Sequence, residues 1–299
     1  MLSQQSINKH FKAEQGFSLI ELMIAMTLGL LLLTGVIQIF LSSKQAYGTV
    51  SGASQTLDSG RLSMHFLSGS ISKAGYWGDV NEARVYGSDT ALAFNHSGAS
   101  NAPYSDSYNG VFAEDVYIFG TDNDNADANV IDGTDQIWIR FNGHDTLPLT
   151  NCAGDSVNSN LIAVERYYIS ELNGNERVPS LVCETTLMSI DKITGTVSAL
   201  ANPVINTQIL ISGVDNLQVL FGQRSPDNNE LQYFIASDVT DWSLIQGVRV
   251  AALASSADAV NSVSRTSGYD LLNETTNIPT DKRARRVFER TIALRNPNY

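Results

Sequence analysis

One carboxylate stands in a stretch built for lipid. Glu21 lies a few residues inside the run 17–41, FSLIELMIAMTLGLLLLTGVIQIFL, whose other members are apolar, small or weakly polar, with Gln38 near its end. The run has the length of a transmembrane helix, about 20 residues per crossing. At 1.5 Å per residue Glu21 falls about 6 Å beyond Phe17, in the outer part of a bilayer rather than at its centre. An ionisable group there is expensive and marks a function whose partner must be found. Other residue groups promise less. Asp122, Asp124, Asp127, Asp132 and Asp135 crowd one loop and offer hard oxygen ligands for calcium, but DNDNADANVIDG lacks the glycine and glutamate of an EF-hand register, and the loop reads as solvated and acidic. The basic stretch RARRVFER leads straight into TIALRN, so Arg283, Arg285 and Arg286 read as flanks of an edge strand, where charge discourages stray pairing. Four histidines and scattered serines without a GxSxG elbow assign no catalytic residue.

The residues ahead of the run, MLSQQSINKHFKAEQG, are short, polar and weakly basic through Lys9 and Lys12, which places them on the cytoplasmic side. A secretory signal would carry a much shorter apolar core followed by a small-residue cleavage site. This basic leader, then Gly16, Phe17, SLIEL and a long apolar helix, resembles the class III signal of type IV pilins and of type II secretion pseudopilins. The resemblance implies that a prepilin peptidase cuts between Gly16 and Phe17 and that the new amine of Phe17 is N-methylated. It also implies that Glu21 meets the N-terminal amine of a neighbouring subunit in the growing fibre. An opposed amine is what keeps a carboxylate charged at low dielectric, so the pair sets register and subunit choice more than net stability. One departure is that the span has no proline, which leaves Gly29 and Gly35 as its soft points.

Composition agrees with an exported subunit. The 299 residues carry a net charge of −12, and −13 without the leader. So acidic a chain is not a nucleic-acid binder, since phosphate contacts need clustered Lys and Arg. Cys152 in LTNCAGD and Cys183 in PSLVCETT form either one disulfide or two buried thiols, and export to an oxidising compartment favours the disulfide. No CxxC or Cys/His spacing supports a metal or redox centre.

These groups must be held by a helix and a β-rich head. Ala46, Val50, Ala53, Leu57, Gly60, Met64, Leu67, Ile71 and Ala74 recur every three or four residues and predict that the helix continues past the membrane, packs one stripe on the head and stops near Gly75 and Gly78. Ten short segments rich in β-branched and aromatic residues read as strands: TALAFN, DVYIFG, DQIWIRF, LIAVERYYI, SLVCETT, TQILIS, NLQVLFGQ, LQYFIA, VRVAALAS and RTIALRN. A short helix is predicted over 239–246, capped by Asp238. The fold class is therefore α+β: a long N-terminal helix followed by a mostly antiparallel sheet head. Its parts are a leader 1–16, a span 17–41, a head-packing helix half 42–76 and a globular head 77–299.

The order GTDQIWIRF, a cysteine pair, ISGVDNLQVLFG, VRVAALASS and RARRVFERTIALRN resembles the series in PilW-type minor pilins, which are similar in fold to GspJ, the larger minor pseudopilin of type II secretion. What this implies is a non-enzymatic inner-membrane subunit without cofactors, its head in the periplasm, which helps to start type IV pilus assembly. Implied partners are other minor pilins, the major pilin, the prepilin peptidase, the assembly platform and a tip adhesin. The competing readings are a secretion pseudopilin and a periplasmic binding protein or enzyme that uses the span only as an anchor.

Overall fold

A computed structural model describes residues 16–76, 116–122, 129–171, 178–190, 197–199, 205–225, 230–260, 264, 268–277 and 280–295. Leader residues 1–15, the strand expected at 90–95, the loop 97–110, Gly78, Asp124 and Asp127 lie outside them. The chain divides into two units, Met1–Gly48 and Thr49–Tyr299, and helix α1 (Leu19–Ile71) contributes to both.

In the first unit the helix starts two residues later than Phe17. Gly16, Phe17 and Ser18 are not helical, and the Leu22 amide donates to the Ser18 carbonyl at 3.1 Å. The side chains that follow are apolar on every face and exposed, with a mean hydropathy of 2.3 over the most apolar stretch, long enough to cross a membrane. Its two threonines serve themselves: Thr27 Oγ1 donates to the Ile24 carbonyl at 2.9 Å and Thr34 Oγ1 to Leu30 at 2.7 Å. A hydroxyl bonded back to its own helix needs no water, which is the condition for placing it in hydrocarbon.

In the second unit α1 buries one face, and its upper part corrects the predicted stripe. Gly60, Met64, Leu67 and Ile71 are buried as expected, but Val50 and Ala53 are exposed, and the row that turns inward is Gly52, Thr56, Ser59 and Ser63. The reason is closeness of approach. A Cβ on Gly60 would overlap the Phe288 ring, and one on Gly52 would overlap the Val260 side chain. The buried hydroxyls are satisfied by Thr56 to Gly52 at 2.8 Å, Ser63 to Ser59 at 2.7 Å and Ser59 to the Ser212 carbonyl at 3.2 Å. The helix ends in a tight turn at Gly75, whose φ of 70° favours glycine, and the Gly75 amide donates to the Arg140 carbonyl at 3.1 Å.

The strands are β1 (Ile118–Thr121), β2 (Gln136–Asn142), β3 (Leu161–Ser170), β4 (Ser180–Ile190), β5 (Val197–Ala199), β6 (Asn206–Ser212), β7 (Val214–Arg224), β8 (Leu231–Phe234), β9 (Ile245–Ala259), β10 (Gly268–Leu271), β11 (Glu274–Asn277) and β12 (Arg283–Ala293). All pairings are antiparallel. One sheet runs β1-β2-β3-β4-β5 with β6 also on β4, a second runs β12-β9-β7-β8, and β10 and β11 form a hairpin. Nine of the ten predicted strands fall on these elements; the short β5, β10 and β11 are additions. The chain changes sheet at Gly213, where φ is 81° and the amide of Ser255 donates to its carbonyl at 2.8 Å. Leu67 and Ile71 of α1 share one core with Ile137, Ile139, Leu217, Phe221 and Val250 from both large sheets. The predicted helix at 239–246 is absent. Two 3-10 turns, Ala236–Asp238 and Trp242–Leu244, fill that stretch, and Asp241 rather than Asp238 caps the second by accepting from the Ser243 amide at 2.9 Å. β9 begins at Ile245, which leaves no length for an α-helix.

Cys152 and Cys183 form a disulfide with Cα atoms 6.4 Å apart, tying the loop after β2 to the middle of β4. With the two positions 31 apart in sequence, the chain-entropy argument gives the bridge roughly 3 to 4 kcal/mol. Paired serine substitutions at Cys152 and Cys183 are therefore expected to lower the urea midpoint of the head by about that free energy. An unchanged midpoint would remove the bridge from the stability of the head.

Candidate assembly site

The N-terminal segment is the first part of the site. Phe17 is 85% exposed and nothing lies within 4 Å of where a Gly16 side chain would project, so the Gly16–Phe17 bond stands in open, non-helical backbone. Glu21 falls in the first turn of α1, where unpaired amides make the helix end positive and favour a carboxylate by about 0.3–1 kcal/mol. That is a small return for a charge in lipid. The next cation along its own helix is Lys44, about 35 Å further on at the helical rise. Among the described residues of its own helix, no counter-charge lies close to Glu21 along the chain.

The second part is the polar seam that fixes α1 on the head. Glu165 is fully buried on β3; it accepts from Tyr167 Oη at 2.8 Å and from Lys73 Nζ at 3.4 Å. Since Tyr167 spends its proton on Glu165, Ser70 Oγ donates to Tyr167. Lys73 Nζ also donates to the Thr150 carbonyl at 3.0 Å and stands 4.3 Å from the Phe141 ring centre. Burial, and then the Glu165 charge, push the Tyr167 phenol well above its ordinary value, so it stays a donor at every physiological pH. The end of α1 is thus held to β3 by one closed chain of hydrogen bonds. The opposite face of the same sheet is also buried, with Arg166 donating to Gln136 Oε1 at 2.7 Å and Glu184 Oε2 at 3.0 Å, and Tyr168 Oη donating to Glu184 Oε1 at 2.8 Å.

The arginine stretch is placed differently from its predicted role. Arg283, Arg285 and Arg286 do not flank a strand; they lie within β12, which forms one edge of its sheet. Arg285 is turned inward, bidentate to Asp281 at 2.6 Å for each bond and bonded to Asp215 on β7. Burial opposes its charge, but the Asp281 bonds and the Asp215 charge outweigh that and raise its pKa. Arg286 lies over the Phe288 ring at 5.8 Å.

Two of the clustered aspartates are also structural, which corrects their reading as a solvated loop. Asp122 accepts from the Ala236 and Ser237 amides at 2.5 and 2.6 Å, and buried Asp135 accepts from the Val219 amide at 2.8 Å. Asp132 is exposed. Among the described residues no three Asp, Glu, His or Cys side chains converge as metal ligands would. The seam at Glu165 and the pair at Asp215 were not anticipated, because nothing local marks a carboxylate that will meet a cation 70 or 92 residues away.

Comparison with known families agrees with this geometry. Residues 11–37 match the prokaryotic N-terminal methylation motif, and residues 166–296 match the type IV pilus-assembly protein W family, PilW. Four solved chains are similar, among them a type IV-like pilin from Thermus thermophilus, with 13% identity and a TM-score of 0.40 over 81% of this chain and 97% of that one. No curated protein sequence matches. A methylation-type N-terminus on an apolar helix that runs into an antiparallel β head defines the class as a type IV pilin. Within that class the PilW match over residues 166–296 supports a minor pilin of the PilW type.

Proposed function

We propose that this subunit is inserted in the inner membrane with residues 1–16 in the cytoplasm and its head in the periplasm, and is cut between Gly16 and Phe17. Methylated on Phe17, it joins other minor pilins in the complex that starts a pilus on the assembly platform. Residues 17–41 are the span, 42–76 the head-packing helix half and 77–299 the head. The carrying observation is Glu21: a single carboxylate in an exposed apolar helix, four residues after an accessible Gly–Phe bond and far from any later cation of its own helix. A neighbour's N-terminal amine supplies the missing charge. The role is to nucleate, not to catalyse.

The processing step has a direct test. Gly16→Val places a β-branched side chain where the open backbone now has none, and it is expected to leave the leader attached and abolish incorporation into pili. N-terminal sequencing checks this. Wild-type subunits that begin at Met1 in assembled pili would sink the reading.

A further inference from the structure

The outer edge of β12 is open. β12 ends the order β12-β9-β7-β8, so its backbone is paired on one side only. The Leu294 amide donates to the Gln246 carbonyl at 2.9 Å, in register with Ala293 opposite Gly247. Backbone groups alternate in direction along a strand, so those of Thr291 and Ala293 point away from β9. Among the described residues nothing pairs with them, and both are exposed. Facing this edge is a groove of about 360 Å³, walled on the other side by His65, Ser68, Gly69 and Ser72 of α1.

Two further observations say what the groove is for. Glycine inside a helix costs about 1 kcal/mol relative to alanine. A Cβ on Gly69 would meet nothing within 4 Å, so no contact among the described residues accounts for that cost. The rim is also of the wrong sign for an acidic chain: Arg290 and Arg295 are exposed and have no carboxylate partner among the described residues, and His65 lies between helix and strand. Unguarded edges pair indiscriminately; here the arginines repel basic strands and admit one that brings carboxylates. A second copy of this chain is a poor occupant, because antiparallel self-pairing about Thr291 would set Arg290 of each copy diagonally across from Arg290 of the other.

We infer that this groove takes an extended, carboxylate-bearing segment from the head of a different pilin subunit, added to β12 as a further strand alongside the last turns of α1. The inference rests on the assembly role proposed above.

Two variants of the full-length, processed subunit test it. Thr291→Pro removes an outward amide and leaves the pairing with β9 intact, as edge positions tolerate. Arg290→Glu combined with Arg295→Glu reverses the rim. Each is solubilised in mild detergent from pilus-forming cells, and the other N-methylated subunits that co-purify are quantified by mass spectrometry, with thermal melting as the control for folding. Both variants are expected to melt like wild type and to lose one partner pilin by about tenfold or more while retaining others. In the wild-type complex the Thr291 and Ala293 amides should exchange hydrogen more slowly than in the lone subunit. Equal recovery of every pilin with both variants, or unchanged exchange at Thr291 and Ala293, overturns the inference. Selective loss of a second, differently tagged copy of this chain overturns the choice of occupant. Wild type that recovers no pilin at all overturns the assembly role instead, so the two failures are distinct.

Discussion

Glu21→Gln is expected to leave membrane insertion, leader cleavage and head stability unchanged while reducing recovery of partner pilins by at least tenfold. The argument is differential. In a lone subunit Glu21 is exposed near one end of the apolar run, where it can be solvated among headgroups, so nothing in folding requires a partner for it. In the assembled bundle proposed above it would face an amine at low dielectric, and replacing it would strand that amine at about 3–5 kcal/mol. Even about 1.4 kcal/mol is a factor of ten in association. Glutamine keeps the shape and can still accept a hydrogen bond, so the variant isolates charge from packing. Quantitative co-purification of the pilins with each form decides it. Equal recovery together with normal piliation would make Glu21 a tolerated passenger.

Arg285→Met is expected to destabilise the head by about 3–5 kcal/mol, because it leaves the buried Asp215 carboxylate facing β12 with only Ser255 Oγ, at 2.7 Å, for a partner. Methionine retains much of the aliphatic stem, so lost packing is the smaller effect. A control lies in the same sheet: Arg249 and Glu289 bond at 3.0 Å with side chains 45% and 40% exposed, and Arg249→Met should cost about 0–1 kcal/mol. Urea unfolding of both variants checks the contrast; comparable losses would mean that Asp215 is not held by its ion pair. The same cluster sets an acid response. The Arg285 hydrogen bonds hold the Asp281 carboxyl below its usual range. A depressed folded pKa means the stabilisation is full above about pH 4 and is lost as pH falls through the folded value. The stability of wild type should therefore fall more steeply than that of Asp281→Asn on acidification from pH 5 to 2.

Much of this architecture is readable along the chain, and its failures share a cause. The strands β2, β3, β7 and β9 announce themselves by alternation and β-branched content, and Met64, Leu67 and Ile71 by helical spacing, because those signals are local and apolar. Where the buried row of α1 turns to Gly52, Thr56, Ser59 and Ser63, a hydrophobic stripe points to the wrong face. Small hydroxyl residues go inside once they bond back to their own helix, and Gly52 and Gly60 let the helix come close to Val260 and Phe288. Arg285 misleads for a related reason: of the two acids that hold it, Asp281 lies four residues back among basic neighbours, but Asp215 on β7 is 70 residues away.

The sequence by itself determined the apolar run of membrane-crossing length, the Gly16–Phe17 junction before it and the solitary charge of Glu21 within it. A bilayer reads a chain one segment at a time, so length, apolarity and a misplaced carboxylate carry their meaning without any fold. Only the tertiary structure decided which polar groups are buried, as at Glu165 and Tyr167, and that the outer edge of β12 faces Gly69 of α1. Charge can mark an edge strand locally, but which surface stands beside that edge is settled by contacts between residues tens to hundreds of positions apart, and no local pattern encodes it.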